Sequence, residues 1–552
     1  MRALAALLVV ACAPPEPSAP AVSTHVGDWR DEVVYQIVVD RFDNGDPSND
    51  AADGLEPVPG DLARVQGGDW RGVLDRLDYI QALGATTIWL SPPYRNIPRT
   101  EMEDGYHGYW PADFTEANPR FGSLEELQEL VRAAHSRGML VILDVVPNHA
   151  GRVFNYDLDG DGEADPSEIE PPFSDTPYDA PLLWIERPTL IGADGEPLEL
   201  EAAHFHRRGA GDLSIQAQKE LADFPTGLRD LDTESEAVIA SLVETHAWWV
   251  AQTDVDGFRV DAVPHAARPF WAAFCGRLRA RVAELGKERF FLLGEVFDAS
   301  PEALASYTQL DQLDAAFAFD LKGDVIDGVI LSGRPPSEAI GALSGHRDRF
   351  PASPQPNGVA LDPWEARVAF ADNHDVWRLR GELDDPLAAH VALTIVFTVD
   401  AIPAVYYGTE QGLDGTAHHL SREPLWLEAP GFPTDGATFG HLAQLAAIRA
   451  RSTALRRGTL TVRYASESGG ADEDPAPDAG MLAYERAHED ERVLVVLNAA
   501  IDASEATFPT GFAGGTRLFD ALGAATAPWT VDADGELTIA LPGRASVVLE
   551  PR

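Results

Sequence analysis

Residues 123–146 read Ser-Leu-Glu-Glu-Leu-Gln-Glu-Leu-Val-Arg-Ala-Ala-His-Ser-Arg-Gly-Met-Leu-Val-Ile-Leu-Asp-Val-Val, and the pattern changes period partway along. Ser123 with Glu126 three residues on is a capping box. Leu124, Leu127, Val131 and Ala134 then recur at helical spacing, and Gly138 stops the helix. Leu140–Val146 follows at once as a short apolar run, the pattern of a strand buried on both faces. The same unit occurs upstream: Val73, Leu74, Leu77, Ile80 and Leu83, then Gly84, then Thr86–Leu90. Val33–Val39, Gly257–Val260, Phe290–Leu293, Ala315–Phe319, Val368–Ala371 and Ile402–Tyr406 are further runs of this kind. Eight such strands with helices between them predict an α/β fold, a (β/α)8 barrel.

Two segments break the rhythm. Residues 148–224 are polar and loop-rich, and they predict a domain inserted after the third strand. From residue 456 to 552 helical patterns vanish, and Val493–Leu497 and Ala545–Leu549 predict a C-terminal antiparallel β-sandwich. The barrel then occupies residues 28–147 and 225–455. Residues 1–27 read as a leader: Met1-Arg2, an apolar run to Ala11, then Cys12 and a Pro/Ala/Ser-rich tether. Val9–Cys12 resembles a bacterial lipobox, so export with a lipid on Cys12 is expected, and this anchor is the only membrane contact expected. No other apolar run reaches the roughly 18 residues that a membrane span needs.

The chain has 552 residues, 45% hydrophobic and 24% charged, too apolar for a disordered protein. It carries 42 Lys plus Arg against 89 Asp plus Glu, a formal charge of −47. That field repels polyphosphate and anionic lipid, which argues against nucleic-acid binding. Lysine is confined to Lys219, Lys287 and Lys322. Apart from Cys12, Cys275 stands alone in the apolar helical stretch Phe270–Cys275, where a buried, inert thiol is expected.

Barrel chemistry gathers at the C-terminal ends of the strands. Those ends here read Asp144–His149, Gly257–Asp261, Leu293–Glu295 and Phe370–Asp375. Asp261, Glu295 and Asp375 would therefore meet at one mouth, with His149, His374 and Arg259 beside them. Such a set suits retaining glycoside chemistry, in which one carboxylate attacks and another gives up a proton and later recovers it. An adjacent Arg favours the charged form of the first, and crowded carboxylates favour the protonated form of the second. A second sequence signal is acidic. Asp157, Asp159, Asp161, Glu163, Asp165 and Glu168 fall at positions 1, 3, 5, 7, 9 and 12 of an EF-hand-type loop, with Gly162 at position 6. Glu163 would bind through its carbonyl, and the expected ion is Ca2+.

Asp144–His149, Gly257–His265, Gly294-Glu295 and Phe370–Asp375 resemble the four ordered motifs of the α-amylase family of glycoside hydrolases. Tyr106–Trp110, Gly227–Asp232 and Ile402–Glu410 are similar to further family segments. The resemblance implies Asp261 as nucleophile, Glu295 as general acid/base and Asp375 as transition-state stabiliser. It implies that Arg259 keeps Asp261 charged, that His149 and His374 bind the sugar, and that Tyr109 stacks beneath it with His107 alongside. One departure is Pro264-His265, where many relatives carry Lys-His; this leaves acceptor-side specificity open. The resemblance also implies two more calcium sites. One would use Asn44, Asp46, Asn49, Asp50, Gly67 and Asp69, and the other Asn148, Asp230 and the carbonyl of His265. The expected activity is retaining hydrolysis of α-1,4-glucosidic bonds in starch-like glucans by a monomer, with one to three calcium ions. A transglycosylase or glucosyl isomerase is the alternative, weighed against by the lack of sequence for further domains after the sandwich. A non-catalytic glucan-binding relative is a third reading, disfavoured because all three carboxylates are present. Trp184 and Trp364 are candidate sugar platforms.

Overall fold

The computed structural model describes residues 20–383, 385–416 and 418–551, so the leader and Cys12 lie outside the described residues. Eight strands form one parallel sheet: β1 (Val34–Ile37), β2 (Thr87–Leu90), β3 (Leu140–Val145), β4 (Gly257–Val260), β5 (Phe291–Gly294), β6 (Ala315–Ala316), β7 (Val368–Ala369) and β8 (Ile402–Tyr406). Their spatial order is β6-β5-β4-β3-β2-β1-β8-β7. A parallel bridge from Phe317 to Val368 joins the two ends and closes the barrel. All eight predicted strands are present, with β6 and β7 trimmed to two residues each.

The helices obey their local signals. The run from Val73 to Leu83 divides at Arg76 into α1 (Trp70–Asp75) and α2 (Leu77–Leu83). In α3 (Leu124–Ser136) the Ser123 Oγ accepts from the Glu126 N–H at 3.3 Å, and Glu126 Oε2 accepts from the Ser123 N–H at 2.7 Å. Leu127, Leu130, Val131 and Ala134 are buried on one face. Gly138 takes φ +73°, which L side chains adopt at a cost, and turns the chain straight into β3. α4 (Glu236–Thr253) precedes β4, and α5 (Arg268–Glu284) buries Cys275, whose thiol is pushed up to about 12 by that burial. Among the described residues no helix is long and apolar enough to cross a membrane.

The insertion between β3 and β4 is tied at its neck by an antiparallel pair, His149–Ala150 with Arg229–Asp230. Within it, buried Arg229 pairs with Asp223 at 2.6 Å and donates to the Phe154 carbonyl at 2.8 Å.

Two helices of the barrel, α6 (Pro386–Thr398) and α7 (Ala437–Arg451), lead to the C-terminal domain. Its strands are β9 (Thr459–Ala465), β10 (Met481–His488), β11 (Glu491–Asn498), β12 (Ser504–Pro509), β13 (Arg517–Asp520), β14 (Trp529–Thr530), β15 (Glu536–Leu541) and β16 (Ala545–Pro551). One sheet runs β9-β10-β11-β16-β13-β14, and β12 pairs with β15. Alternation along β10 and β11 assigns two jobs to one sheet. Leu482, Tyr484, Val493, Val495 and Leu497 join the barrel core, while Met481, Ala483, Leu494 and Val496 fill the sandwich.

Candidate active site

The C-terminal ends of β3, β4 and β5 converge on one guanidinium. Arg259 Nη1 lies 2.7 Å from Asp261 Oδ1 and 3.0 Å from Asp144 Oδ1, and Arg259 Nη2 lies 2.8 Å from Glu295 Oε1. Arg259 and Asp144 are fully buried, and Asp261 and Glu295 nearly so. This follows from the strand period: Arg259 and Asp261 are two apart, so both point into the barrel mouth. The Ala262 N–H holds Glu295 Oε2 at 3.1 Å. Burial pushes the Glu295 carboxyl up to about 8; Arg259 opposes this, and Asp261 and Asp375 add to it.

Asp375 has the opposite environment. Burial would raise its pKa, but His374 and Arg422 hold the carboxylate far below its ordinary range. His374 Nε2 is 3.0 Å from Asp375 Oδ2, and Arg422 Nη2 is 3.1 Å from Oδ1. The Gln36 amide donates to His374 Nδ1 at 2.7 Å, which places the ring proton of a neutral His374 on Nε2, facing Asp375.

The rings form a flat wall. Tyr109 and His374 lie 5.1 Å apart at 6°, and His107 stacks on Tyr109 at 5.6 Å and 25°. Tyr109 OH donates to Asp144 Oδ2 at 2.7 Å, and His149 Nε2 is 3.1 Å from the Tyr109 carbonyl. His107, Tyr109, His149 and His374 line a cleft of 530 Å³ that also reaches His265, Phe297 and Lys219. Phe297, 59% exposed, is an aromatic surface at this cleft. Trp364 is not: it is buried under the Arg367 guanidinium, 3.3 Å from its ring. Trp184 packs inside the insertion against Phe154 and Phe205.

The structure thus brings together all eight residues expected around the cleft. It adds two with no role in the sequence reading. Asp144 begins a quoted motif, and its order in that motif was its only signal. Arg422 comes from beyond β8, with no motif around it.

The acidic positions separate into three groups. Asp157, Asp159 and Glu168 have ligand oxygens within 4.8 Å of one another, whereas Asp161, Glu163 and Asp165 are exposed and lie outside this group. Near the N-terminus, Asn44 Nδ2 donates to Asp50 Oδ1 at 2.8 Å, and the Oδ1 atoms of Asn44 and Asn49 are buried without partners. Gly67 sits against this pair: a Cβ there would lie 2.7 Å from Asn44 Nδ2 and 2.8 Å from Asp50 Oδ1. Asp46 instead turns its own loop, accepting from the Ser48 N–H at 3.0 Å. Asp69 caps α1 through the Gly72 N–H and also accepts from the N–H groups of Gly45 and Asp46, which ties that loop to the helix. At the neck of the insertion, Asn148 Nδ2 is 3.0 Å from Asp230 Oδ1, and His206 Nδ1 is 2.5 Å from Asp230 Oδ2. Each Asp230 oxygen thus already accepts from one nitrogen, and His206 is a partner that composition did not reveal. Asn148 Oδ1 is buried without a partner. The His265 ring lies 4.5 Å from that of Phe224, and its backbone N–H donates to the Ala262 carbonyl at 2.9 Å.

A closed parallel barrel with carboxylates from successive strand ends on one arginine defines a barrel of the glycoside-hydrolase class. A family profile described as alpha amylase, catalytic domain, matches residues 36–428, and one described as maltogenic amylase, C-terminal domain, matches residues 475–548. The chain belongs to the α-amylase family. It is 29% identical to the alpha-amylase of Streptomyces lividans, over 89% of this chain and 57% of that protein. It is 28% identical to a cyclomaltodextrin glucanotransferase of Geobacillus stearothermophilus, over 90% of this chain and 62% of that protein. The chain thus spans less than two thirds of the length of either relative. The alpha-amylase of Geobacillus thermoleovorans, solved with acarbose, superposes with TM-score 0.72 at 27% identity, over 96% of this chain and 99% of that one. CldA, a cyclomaltodextrin glucanotransferase with a three-domain ABC distribution, superposes with TM-score 0.76 at 25% identity, over 94% of this chain and 99% of that one. A transferase of this domain arrangement therefore exists, and the number of domains does not argue against transfer.

Proposed function

We propose that the protein hydrolyses α-1,4-glucosidic bonds in starch-like glucans or maltooligosaccharides, with retention, through a covalent glycosyl-enzyme intermediate. The observation that carries this is the Arg259 guanidinium, which touches Asp261 and Glu295 with its two terminal nitrogens. That arrangement favours the roughly 5–5.5 Å carboxyl spacing of direct attack over the wider gap that admits a water. Asp261 attacks the anomeric carbon while Glu295, protonated at neutral pH, gives its proton to the departing glycosidic oxygen. The C–O bond to the leaving sugar breaks and an ester to Asp261 forms. Water then passes a proton to Glu295 as its oxygen displaces Asp261. Asp375, held charged by His374 and Arg422, accepts sugar hydroxyls, and Tyr109 with His107 supports the ring. His149 closes the same wall.

Transfer to a second sugar uses the same intermediate, and the likeness to CldA favours keeping it as the second reading. The test is the product profile from amylose, pullulan and maltotriose. New reducing ends and linear oligosaccharides are expected. Cyclic products, or rearranged saccharides without new reducing ends, would assign transfer instead.

Calcium belongs to the same reading. Asp157, Asp159 and Glu168 would hold one ion, and Asn44, Asn49, Asp50 and the Gly67 carbonyl a second, where two unpartnered amide oxygens and a cradle open only to glycine fit an oxygen-seeking cation. Bound there, the ion supplies charge neutralisation and cross-linking of loops. Asn148 Oδ1 supports a third ion less strongly, because Asp230 already faces two nitrogens. Export and a lipid on Cys12 remain part of the proposal, supported by the pattern of residues 1–12.

A further inference from the structure

The cleft has two unlike walls. His107, Tyr109 and His374 make the flat ring wall beside Asp375. The other wall belongs to the chain after β4. The N–H groups of Ala262 and Val263 donate to Glu295, to its Oε2 at 3.1 Å and its carbonyl at 3.2 Å. The next residues, Pro264 and His265, line the cleft with Phe297 and Lys219. Lys219 ends a short helix of the insertion, Gln216–Lys219, and Gln216 Nε2 donates to the Pro264 carbonyl at 3.3 Å. That helix is therefore fastened to the Glu295 side of the cleft.

Lysines in this chain are scarce, and two of the three are committed. Lys287 is buried on Asp254 and Asp256 at 2.8 and 3.0 Å, and Lys322 is buried on Asp327. Lys219 alone of the three lysines makes no ion pair among the described residues, and it is partly exposed at the cleft. Pro264 has neither charge nor N–H with which to hold a sugar. An unpaired ammonium in so acidic a protein, set on the proton donor's side, faces whatever departs from Glu295.

We propose that Lys219 grips the hydroxyls of the departing glucosyl unit, so that the insertion supplies the acceptor-side cation of this cleft. The inference rests on the proposed glucan hydrolysis. The sugar under attack lies on Tyr109, and the sugar that leaves lies between Glu295 and Lys219, against Phe297. During transfer the incoming acceptor occupies the same place.

The experiment compares wild type, Lys219→Met and Lys219→Arg on maltohexaose and on an aryl α-maltotrioside, whose leaving group is a phenol with no sugar hydroxyls. Loss of a charged hydrogen bond to the leaving sugar should cost Lys219→Met about tenfold in kcat/KM on maltohexaose. The aryl glycoside should be cleaved at the wild-type rate, and Lys219→Arg should keep most of the maltohexaose activity. Equal losses on both substrates, or no loss on either, overturn the proposal. Wild type inactive on both overturns the glucan reading itself and the proposal with it.

Discussion

Arg259 is bound to three carboxylates within 3.0 Å, so the site's protonation pattern is a property of one cation shared three ways. Glu295→Gln removes the proton donor without changing shape, and should lower kcat on maltohexaose by about 10³-fold, within the usual worth of general acid–base catalysis. The loss should shrink on an aryl glycoside, whose leaving group needs little protonation; an equal loss on both would refute the acid role. Glu295 must be protonated for the first step. Its protonated fraction falls as pH rises through about 8, so kcat/KM should decline above that value. A pH–rate profile checks this, and a flat profile to pH 10 would contradict it. Asp144→Asn leaves a buried Tyr109 hydroxyl and the Arg259 guanidinium less well held. A misplacement of about 1 Å costs on the order of 10²-fold, so a drop of that size is expected in steady-state kinetics. Asp261 and Glu295 were legible because each directly follows a strand, and Asp375 because its motif follows β7. The use of Asp144 and Arg422 was not, because their partners lie 115 and 47 residues away in the chain.

At the scale of elements, caps and turns did what their local chemistry dictates. Ser123→Ala removes the hydroxyl that accepts from Glu126, and should cost about 1 kcal/mol in urea unfolding with unchanged activity. Asp69 illustrates the limit of pattern reading. Its spacing fits a calcium loop, but it is the N-cap of α1, accepting from Gly72 at 2.6 Å. Asp69→Ala should therefore destabilise the protein by about 1 kcal/mol whether or not calcium is present. Asp50→Ala removes the acceptor of Asn44 Nδ2 in either case, but should cost clearly more when calcium is present, and thermal melts with and without EDTA separate the two behaviours. The acidic loop at Asp157–Glu168 shows the same limit. The spacing named five carboxylates and the Glu163 carbonyl, and the fold brings the carboxylates of Asp157, Asp159 and Glu168 within reach of one another, with Asp159 exposed as Asp161 and Asp165 are. Sequence spacing cannot tell which carboxylates a loop turns inward.

At the scale of the whole molecule, the C-terminal sheet belongs to two cores at once. Deleting residues 456–552 would expose the barrel core that Leu482 joins and the end of α6, where Thr398 meets Tyr484 and Arg486. The truncated barrel should be recovered as aggregate by size-exclusion chromatography; a soluble, active monomer would contradict this. Calcium acts at this scale too. An ion at a hundredfold excess over its Kd stabilises the native state by about 2.7 kcal/mol, so EDTA should lower the melting temperature. An unchanged melt would remove the calcium proposal.

Barrel, insertion and sandwich were all present in the sequence, because helical and strand periods, caps and turn residues act within a few residues of one another. The carboxylates proposed for catalysis were placed with them, since strand ends of a parallel barrel share one mouth. Only the tertiary structure decided how Arg259 divides its bonds, that Asp69 caps a helix, that His206 bonds to Asp230, and that Lys219 of the insertion reaches the cleft. Those outcomes depend on which distant side chains meet at hydrogen-bond distance in a buried space, and no period along the chain encodes that.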